Sequence, residues 1–353
     1  MHGVIGIAGT AKNTGKTTAL NALLTIAHSR RVPAAVTSIG YDGESIDNVT
    51  GLSKPRIVLH PGAIATTARS CVPSSGWDIL ANTGCTTALG ELVVVRCREA
   101  GVIVLAGPNR RSELARVVRL MQSSGPAFVL VDGALNRLAP MAVADAFILS
   151  TGAARTQALA TLAQEAAATE ACFALPVRSG GGALPEVPIS TAFPSVNDLI
   201  ALTESAGHPA MALAASFPLE AKAVAAVAGD PRLGGRIRSL ILSDPILPLL
   251  SGDTVAMVAA LERCRAAGVE LSVRKGVRLA AVTVNPFFPR FEGHSYAADG
   301  VDPHHLRTAV SEAVGCPVLN VVAEGPEPLW EAVERGFNRL GRNAGNPPMS
   351  ATC

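Results

Sequence analysis

The pattern of apolar and polar positions at the start of the chain predicts a strand, a loop and a helix. Residues 4–8 form a short apolar run, and residues 9–15 are almost all small or polar. Apolar residues then recur at helical spacing over residues 16–26. A short apolar run that ends in glycine is typical of a buried strand, whereas spacing of three and four residues is typical of a helix.

Predicted strands continue to alternate with predicted helices through the first half of the chain. Apolar runs predict strands, or buried segments, at 33–40, 57–59, 90–95, 101–108, 128–134 and 145–152. Helical spacing predicts helices at 63–69, 112–121 and 156–171, and a Thr-rich loop is expected at 82–89. Strands that alternate with helices indicate βαβ crossovers, so we expect an α/β fold with a mostly parallel sheet and helices on both faces.

The second half predicts a smaller α/β region. Helices are expected at 211–228 and 247–267, and strands at 239–242, 269–273, 279–284 and 317–322. We favour a first domain over 1–200 and a smaller α/β domain over 201–330. In the alternative, 156–276 is an insertion and 277–330 completes the first sheet. In both, residues 331–353 form a C-terminal helix and a frayed tail.

Composition narrows the class of protein. Of 353 residues, 48% are hydrophobic and 16% are charged, which suits buried parallel strands. The net charge of +2 provides no field that favours nucleic acid or an anionic membrane. Seven scattered cysteines without a CxxC pair argue against a disulfide framework or a thiolate zinc site. No apolar run is long enough to span a bilayer. We therefore expect a cytoplasmic protein without a nucleic-acid or membrane partner.

The loop between the first strand and helix has the residue types of a phosphate-binding P-loop. Its sequence, GTAKNTGKTT, places Lys16 where it reaches the β- and γ-phosphates of a nucleotide, and Thr17 where its hydroxyl binds Mg²⁺. The strict motif has glycine where Thr10 stands, so this is a longer variant. Backbone N–H groups of such a loop favour phosphate. The predicted nucleotide contacts are Gly9, Thr10, Asn13, Thr14, Gly15, Lys16, Thr17 and Thr18.

Polar residues at the ends of other strands are expected to complete the site. Asp132 follows an apolar run and is predicted to bind Mg²⁺ with Thr17. Asp42 ends the second strand, where it is expected to activate water as a second catalytic group beside Lys16, or to bind the metal; the alternative is a solvated turn. Glu44 and Asp47 are further acids on that loop. Asn285 is expected either to recognise the base or to stabilise a turn.

The absence of an NKxD motif favours ATP over GTP as the nucleotide. The P-loop resembles that of the dethiobiotin synthetase and cobyrinate amidotransferase group, and the VDGA turn at 131–134 resembles that group's metal-binding EGA turn. This resemblance implies a P-loop NTPase fold shared with partition ATPases and nitrogenase iron proteins. Their signature lysine position is occupied by Ala11, and the substrate lysine of dethiobiotin synthetase has no match at 37–40.

A longer series of segments resembles the P-loop subunit of the lysine 5,6-aminomutase reactivase. The segments are GTAKNTGKTT at 9–18, TSIGYDGE at 37–44, DNVTGLSKPRI at 47–57, LAGP at 105–108, VDGALNR at 131–137, ILSTGA at 148–153 and VTVNP at 282–286. The resemblance implies an ATP-dependent chaperone that exchanges damaged cobalamin for adenosylcobalamin on lysine 5,6-aminomutase, paired with a MutS-like ATPase. The alternatives are an ATP-dependent ligase or kinase that acts on a small carboxylate, and a nucleotide-gated scaffold protein.

Overall fold

A computed structural model describes residues 2–42, 51–52, 55–134, 139–178, 180 and 184–343. The strands are β1 (Gly3–Gly9), β2 (Ala34–Ser38), β3 (Gly40–Asp42), β4 (Val58–Leu59), β5 (Ile64–Ala68), β6 (Trp77–Thr87), β7 (Gly90–Cys97), β8 (Gly101–Val102), β9 (Leu105–Gly107), β10 (Phe128–Ala134), β11 (Ala146–Gly152), β12 (Glu186–Ile189), β13 (Met211–Ala215), β14 (Ile237–Leu242), β15 (Glu270–Val273), β16 (Arg278–Asn285), β17 (Phe287–Phe291), β18 (Tyr296–Gly300) and β19 (Val318–Leu319).

The helices lie between these strands and at the end of the described chain. They are α1 (Lys16–Ser29), α2 (Arg111–Gln122), α3 (Leu159–Phe173), α4 (Val196–Ala206), α5 (Ala221–Gly229), α6 (Thr254–Ala266), α7 (Pro303–Ala313), α8 (Val321–Glu324) and α9 (Glu327–Asn343).

The large sheet has nine strands, in the order β19-β16-β11-β1-β10-β2-β5-β7-β6. Neighbours from β19 to β5 pair in parallel, and β7 pairs antiparallel with both β5 and β6. The expected α/β class with a mostly parallel sheet is therefore confirmed, and the arrangement is compatible with a P-loop NTPase-like fold.

Helices cover both faces of this sheet, as expected. On one face, α1 and α9 pack against the strands through a cluster that includes Leu23 and Trp330. On the other face, α2, α3 and α7 pack through Leu114, Leu162 and Leu306. Because both faces are covered, β2 and β11 are buried at every residue, and β1 at every residue after Gly3, rather than at alternating positions.

Two predictions for the antiparallel part of the sheet were wrong. Residues 63–69 were expected to form a helix, but Ile64–Ala68 is strand β5, which lies between β2 and β7. Residues 82–89 were expected to form a loop, but β6 continues to Thr87, and the Thr83 hydroxyl donates to the carbonyl of Leu92. In both cases, pairing with β7 decides the local structure.

A second sheet has four parallel strands in the order β12-β13-β14-β15. Helices α4, α5 and α6 connect them and share their apolar cluster. The helix expected at 211–228 was wrong in its first part, because Met211–Ala215 is a central strand of this sheet.

Strands β16 and β19 pair within the nine-stranded sheet, so the large sheet contains residues from both ends of the chain. The four-stranded sheet is formed by residues 186–273 alone. The division of the chain into domains stays a prediction. Among the described helices, none has the length and apolar character needed to cross a membrane.

Candidate functional site

The loop between β1 and α1 has a backbone that its glycines make possible. Gly15 immediately precedes α1 with φ 88°, in the left-handed region that favours glycine. A Cβ atom on Gly9 would lie 2.6 Å from the hydroxyl of Thr14, which itself donates to the carbonyl of Ala11 at 3.0 Å. Any side chain at Gly9 would therefore displace the turn.

The start of α1 suits an anion. Gly15 is the N-cap residue and has no side chain that can cap the first-turn N–H groups. The first turn contains Lys16, Thr17 and Thr18, all half-buried, and no acidic residue. A phosphate is bound favourably by backbone N–H donors, by the positive end of a helix dipole and by a lysine, and all three occur here. These residues fit the phosphates of a nucleotide.

Thr10 ties the loop to β11. Its backbone N–H donates to the carbonyl of Ser150 at 2.9 Å, and its hydroxyl donates to that of Thr151 at 3.0 Å. The residue that departs from the strict glycine motif is thus a hydrogen-bonded anchor of the loop.

Asn285 ties the loop to β16. Its side-chain Nδ2 donates to the carbonyl of Asn13 at 2.7 Å, and its Oδ1 accepts from the N–H of Phe287 at 3.3 Å. Asn13 has φ 64°, an unusual value for a residue other than glycine. Of the two roles expected for Asn285, the structure shows contacts that stabilise a turn and the loop; base recognition stays a prediction.

Lys16 and Asp132 meet at the carboxyl ends of the central strands. The ammonium Nζ lies 2.6 Å from Oδ1 and 2.5 Å from Oδ2 of a carboxylate that is 1% exposed. Asp132 pairs in register with Ile7 of β1 and Ser38 of β2, so β10 places it beside the loop. The structure therefore joins two predicted site residues that are 116 positions apart.

The other predicted acids are not all within the described residues. Asp42 ends β3, and its backbone pairs with Leu105 of β9, but its side chain is outside the described part of the structure. Glu44 and Asp47 also lie outside the described residues. Among the described side chains, no group of three or more His, Cys, Asp or Glu residues is arranged to hold a metal. The metal and catalytic roles of Asp42 stay predictions.

The end of β11 is part of the site, although sequence reasoning gave it no role. A Cβ atom on Gly152 would overlap the carbonyl oxygen of Asn285, and the N–H of Ala153 donates to that oxygen at 3.0 Å. With Ser150 and Thr151, these residues support both Thr10 and Asn285. The run of small residues at 150–153 is the feature of the sequence that could have indicated this role.

No protein-family model and no curated protein matches the chain. A solved structure described as pNOB8 ParA bound to nonspecific DNA matches 75% of this chain and 99% of its own. Its sequence identity is 10% and its TM-score is 0.27. A similarity of this size establishes neither a shared fold nor a shared function.

Proposed function

We propose that this protein binds ATP with Mg²⁺ on the loop of residues 9–17. The observation that carries the proposal is the contact between Lys16, at the start of α1, and the buried carboxylate of Asp132 at the end of β10. A cation and a carboxylate beside an uncapped helix N-terminus are the groups that a nucleotide phosphate and its metal need.

Each residue has a distinct task in this proposal. The Lys16 ammonium exchanges Asp132 for phosphate oxygens when a nucleotide binds. The carboxylate of Asp132 and the hydroxyl of Thr17 are then the oxygen donors offered to Mg²⁺, which prefers such ligands. The metal neutralises phosphate charge when bound. Asn285 and Thr10 hold the loop in the conformation that presents its N–H groups.

We further propose that nucleotide binding serves a reactivase, in which the chain is the ATP-binding subunit that acts on lysine 5,6-aminomutase with a MutS-like ATPase. The support is the ordered series of sequence segments described above. Three of these segments, at 131–137, 148–153 and 282–286, begin within the strands that carry the loop contacts, β10, β11 and β16. A nucleotide changes the shape of a client only if the bound form favours one client conformation.

Equilibrium binding of ATP, with and without Mg²⁺, tests the first proposal. The Lys16→Ala variant should lose binding, and Lys12→Ala should retain it, because Lys12 is an exposed lysine of the same loop. Circular dichroism and thermal unfolding of both variants separate lost binding from lost folding. Equal affinity of the wild type and a folded Lys16→Ala variant would contradict ATP binding at this loop.

Steady-state ATP hydrolysis tests the second proposal. The protein is assayed alone, with lysine 5,6-aminomutase plus cobalamin, with the MutS-like ATPase, and with small carboxylic acids. Stimulation by the aminomutase and recovery of inactivated mutase are expected. Stimulation by a small acid alone would instead indicate a ligase or kinase, and ATP binding without turnover in every mixture would indicate a scaffold.

A further inference from the structure

A pocket lies at the opposite end of α1 from the loop of residues 9–17, and the role inferred for it is separate from the proposed function. We propose that the cavity there, the α1-end pocket, binds a small organic carboxylate. It has a volume of about 260 Å³. Its lining includes Leu24, His28, Arg31, Ala34, His60 and Ala63.

Two imidazole rings stand together in the lining. His28 is in the last turn of α1, and His60 follows strand β4. Their ring centroids are 4.5 Å apart and their planes differ by 11°, which is a stacked arrangement. A neutral imidazole has one N–H donor, and a protonated one has two. His28 is exposed and His60 is half-buried, so the pair supplies hydrogen-bond donors for an anion at the open side of the pocket.

Arg31 supplies a permanent charge from a strained backbone position. Its N–H donates to the carbonyl of His28, and the N–H of Val32 donates to the carbonyl of Ala27, the two bonds of a Schellman motif. Glycine is favoured at the left-handed residue of this motif, yet Arg31 occupies it with φ 56°. A strained, charged residue that lines a cavity is a reason to look for a ligand.

The remaining lining residues indicate what the uncharged part of the ligand is like. Leu24 and Ala34 are buried and apolar, and Ala63 is half-buried. None of the described lining residues is acidic. Arginine binds carboxylate through two parallel hydrogen bonds. The volume is below the usual range for drug-sized ligands, roughly 300–1,000 Å³. A carboxylate on a short apolar or aromatic body matches this charge, surface and size.

Benzoate is the probe for this proposal. Benzamide has nearly the same shape without the charge, and inorganic phosphate has charge without the apolar body. Isothermal titration should show benzoate binding more tightly than either. In NMR spectra, the ring signals of His28 and His60 should move on benzoate addition, whereas those of His294, on the β17–β18 turn, should not.

Arg31→Gly is the decisive variant, because glycine suits the Schellman motif. It should fold with unchanged or higher stability and bind benzoate roughly tenfold more weakly, since a charge-assisted hydrogen bond is lost. Arg30→Gln is the control, because it removes a positive charge at the neighbouring position, where Arg30 stacks over Trp330. It should leave benzoate affinity unchanged. ATP affinity should be unchanged in Arg31→Gly, which separates this site from the nucleotide loop.

Four outcomes would overturn the proposal. They are no benzoate binding to the wild type, equal affinity for benzoate and benzamide, equal affinity for benzoate and phosphate, or equal weakening by Arg30→Gln and Arg31→Gly. A fifth outcome, benzoate-induced shifts confined to histidines outside the pocket, would place binding elsewhere and would also overturn the proposal.

Discussion

Asn285 donates its side-chain amide to the backbone carbonyl of Asn13 at 2.7 Å, across 272 positions of the chain. The contact joins β16, in the last quarter of the sequence, to the loop that follows β1. A Cβ atom on Gly15 would lie only 3.2 Å from the Cβ of Asn285, so the two segments also pack closely. The conformation of the loop therefore depends on a strand that is remote in sequence.

Replacing Asn285 with alanine should weaken ATP binding and lower the free energy of unfolding by about 1 kcal/mol, the typical contribution of one hydrogen bond. Titration with ATP and urea unfolding measure the two effects. Asn320→Ala is the matched control, because Asn320 caps α8 through the N–H of Ala323. It should lose comparable stability with unchanged ATP affinity. Wild-type ATP affinity in Asn285→Ala would show that the loop does not need this contact.

Gly152→Ala should destabilise the protein by about 2 kcal/mol or more, because steric overlap with a fixed backbone is among the strongly destabilising mechanisms. The new Cβ would overlap the carbonyl oxygen of Asn285, and φ at Gly152 is 157°. Gly229→Ala, at the end of α5 with open space around it, should be neutral or slightly stabilising. Urea denaturation measures both variants, and equal stabilities would contradict the close approach of β11 and β16.

Lys16→Met should lower the free energy of unfolding by about 3 kcal/mol, because the buried Asp132 carboxylate loses its lysine. The double variant Lys16→Met with Asp132→Asn should recover part of that loss, since the buried charge is also removed. A double-mutant cycle in urea measures the coupling between the two side chains. Strictly additive effects of the two single substitutions would mean that the interaction between Lys16 and Asp132 does not contribute to the free energy of unfolding.

Protonation of His60 should make folding pH-dependent. Burial, and then the neighbouring His28, lower the pKa of His60 below its ordinary value of 6.5. The unfolded chain then binds the proton more readily than the folded one. The contribution of neutral His60 to the free energy of unfolding is therefore complete above about pH 6.5, and it is lost as the pH falls through the folded pKa. His60→Asn should therefore lose less stability than the wild type between about pH 7.5 and about pH 5.

The neighbouring His28 is the second cause of the lowered pKa of His60, after burial. His28→Asn should raise the pKa of His60, because it removes the neighbouring imidazole charge. NMR titration of the His60 ring measures the change. An unchanged His60 pKa in His28→Asn, or identical pH profiles of wild type and His60→Asn, would contradict the proposed origin.

The predictions that the structure confirms rest on local patterns. β1, the glycine loop and the start of α1 follow one another without a gap, so apolar period and glycine position were enough to place them. Strand β5 is different, because all five of its residues are buried and no alternation marks it as a strand. Its threonines hydrogen-bond to remote groups: Thr66 to the carbonyl of Ala106 and Thr67 to that of Val104.

The sequence by itself determined the strand, the glycine loop and the start of the helix, and it predicts that this loop binds phosphate, because glycine, lysine and threonine at that spacing act locally. Only the tertiary structure decided that Lys16 meets Asp132, that Asn285 holds Asn13, and that Thr10 is anchored on β11. These contacts join positions more than a hundred residues apart, and strand order alone brings them together. The residues next to a position in sequence do not specify which strand will lie beside it in the sheet.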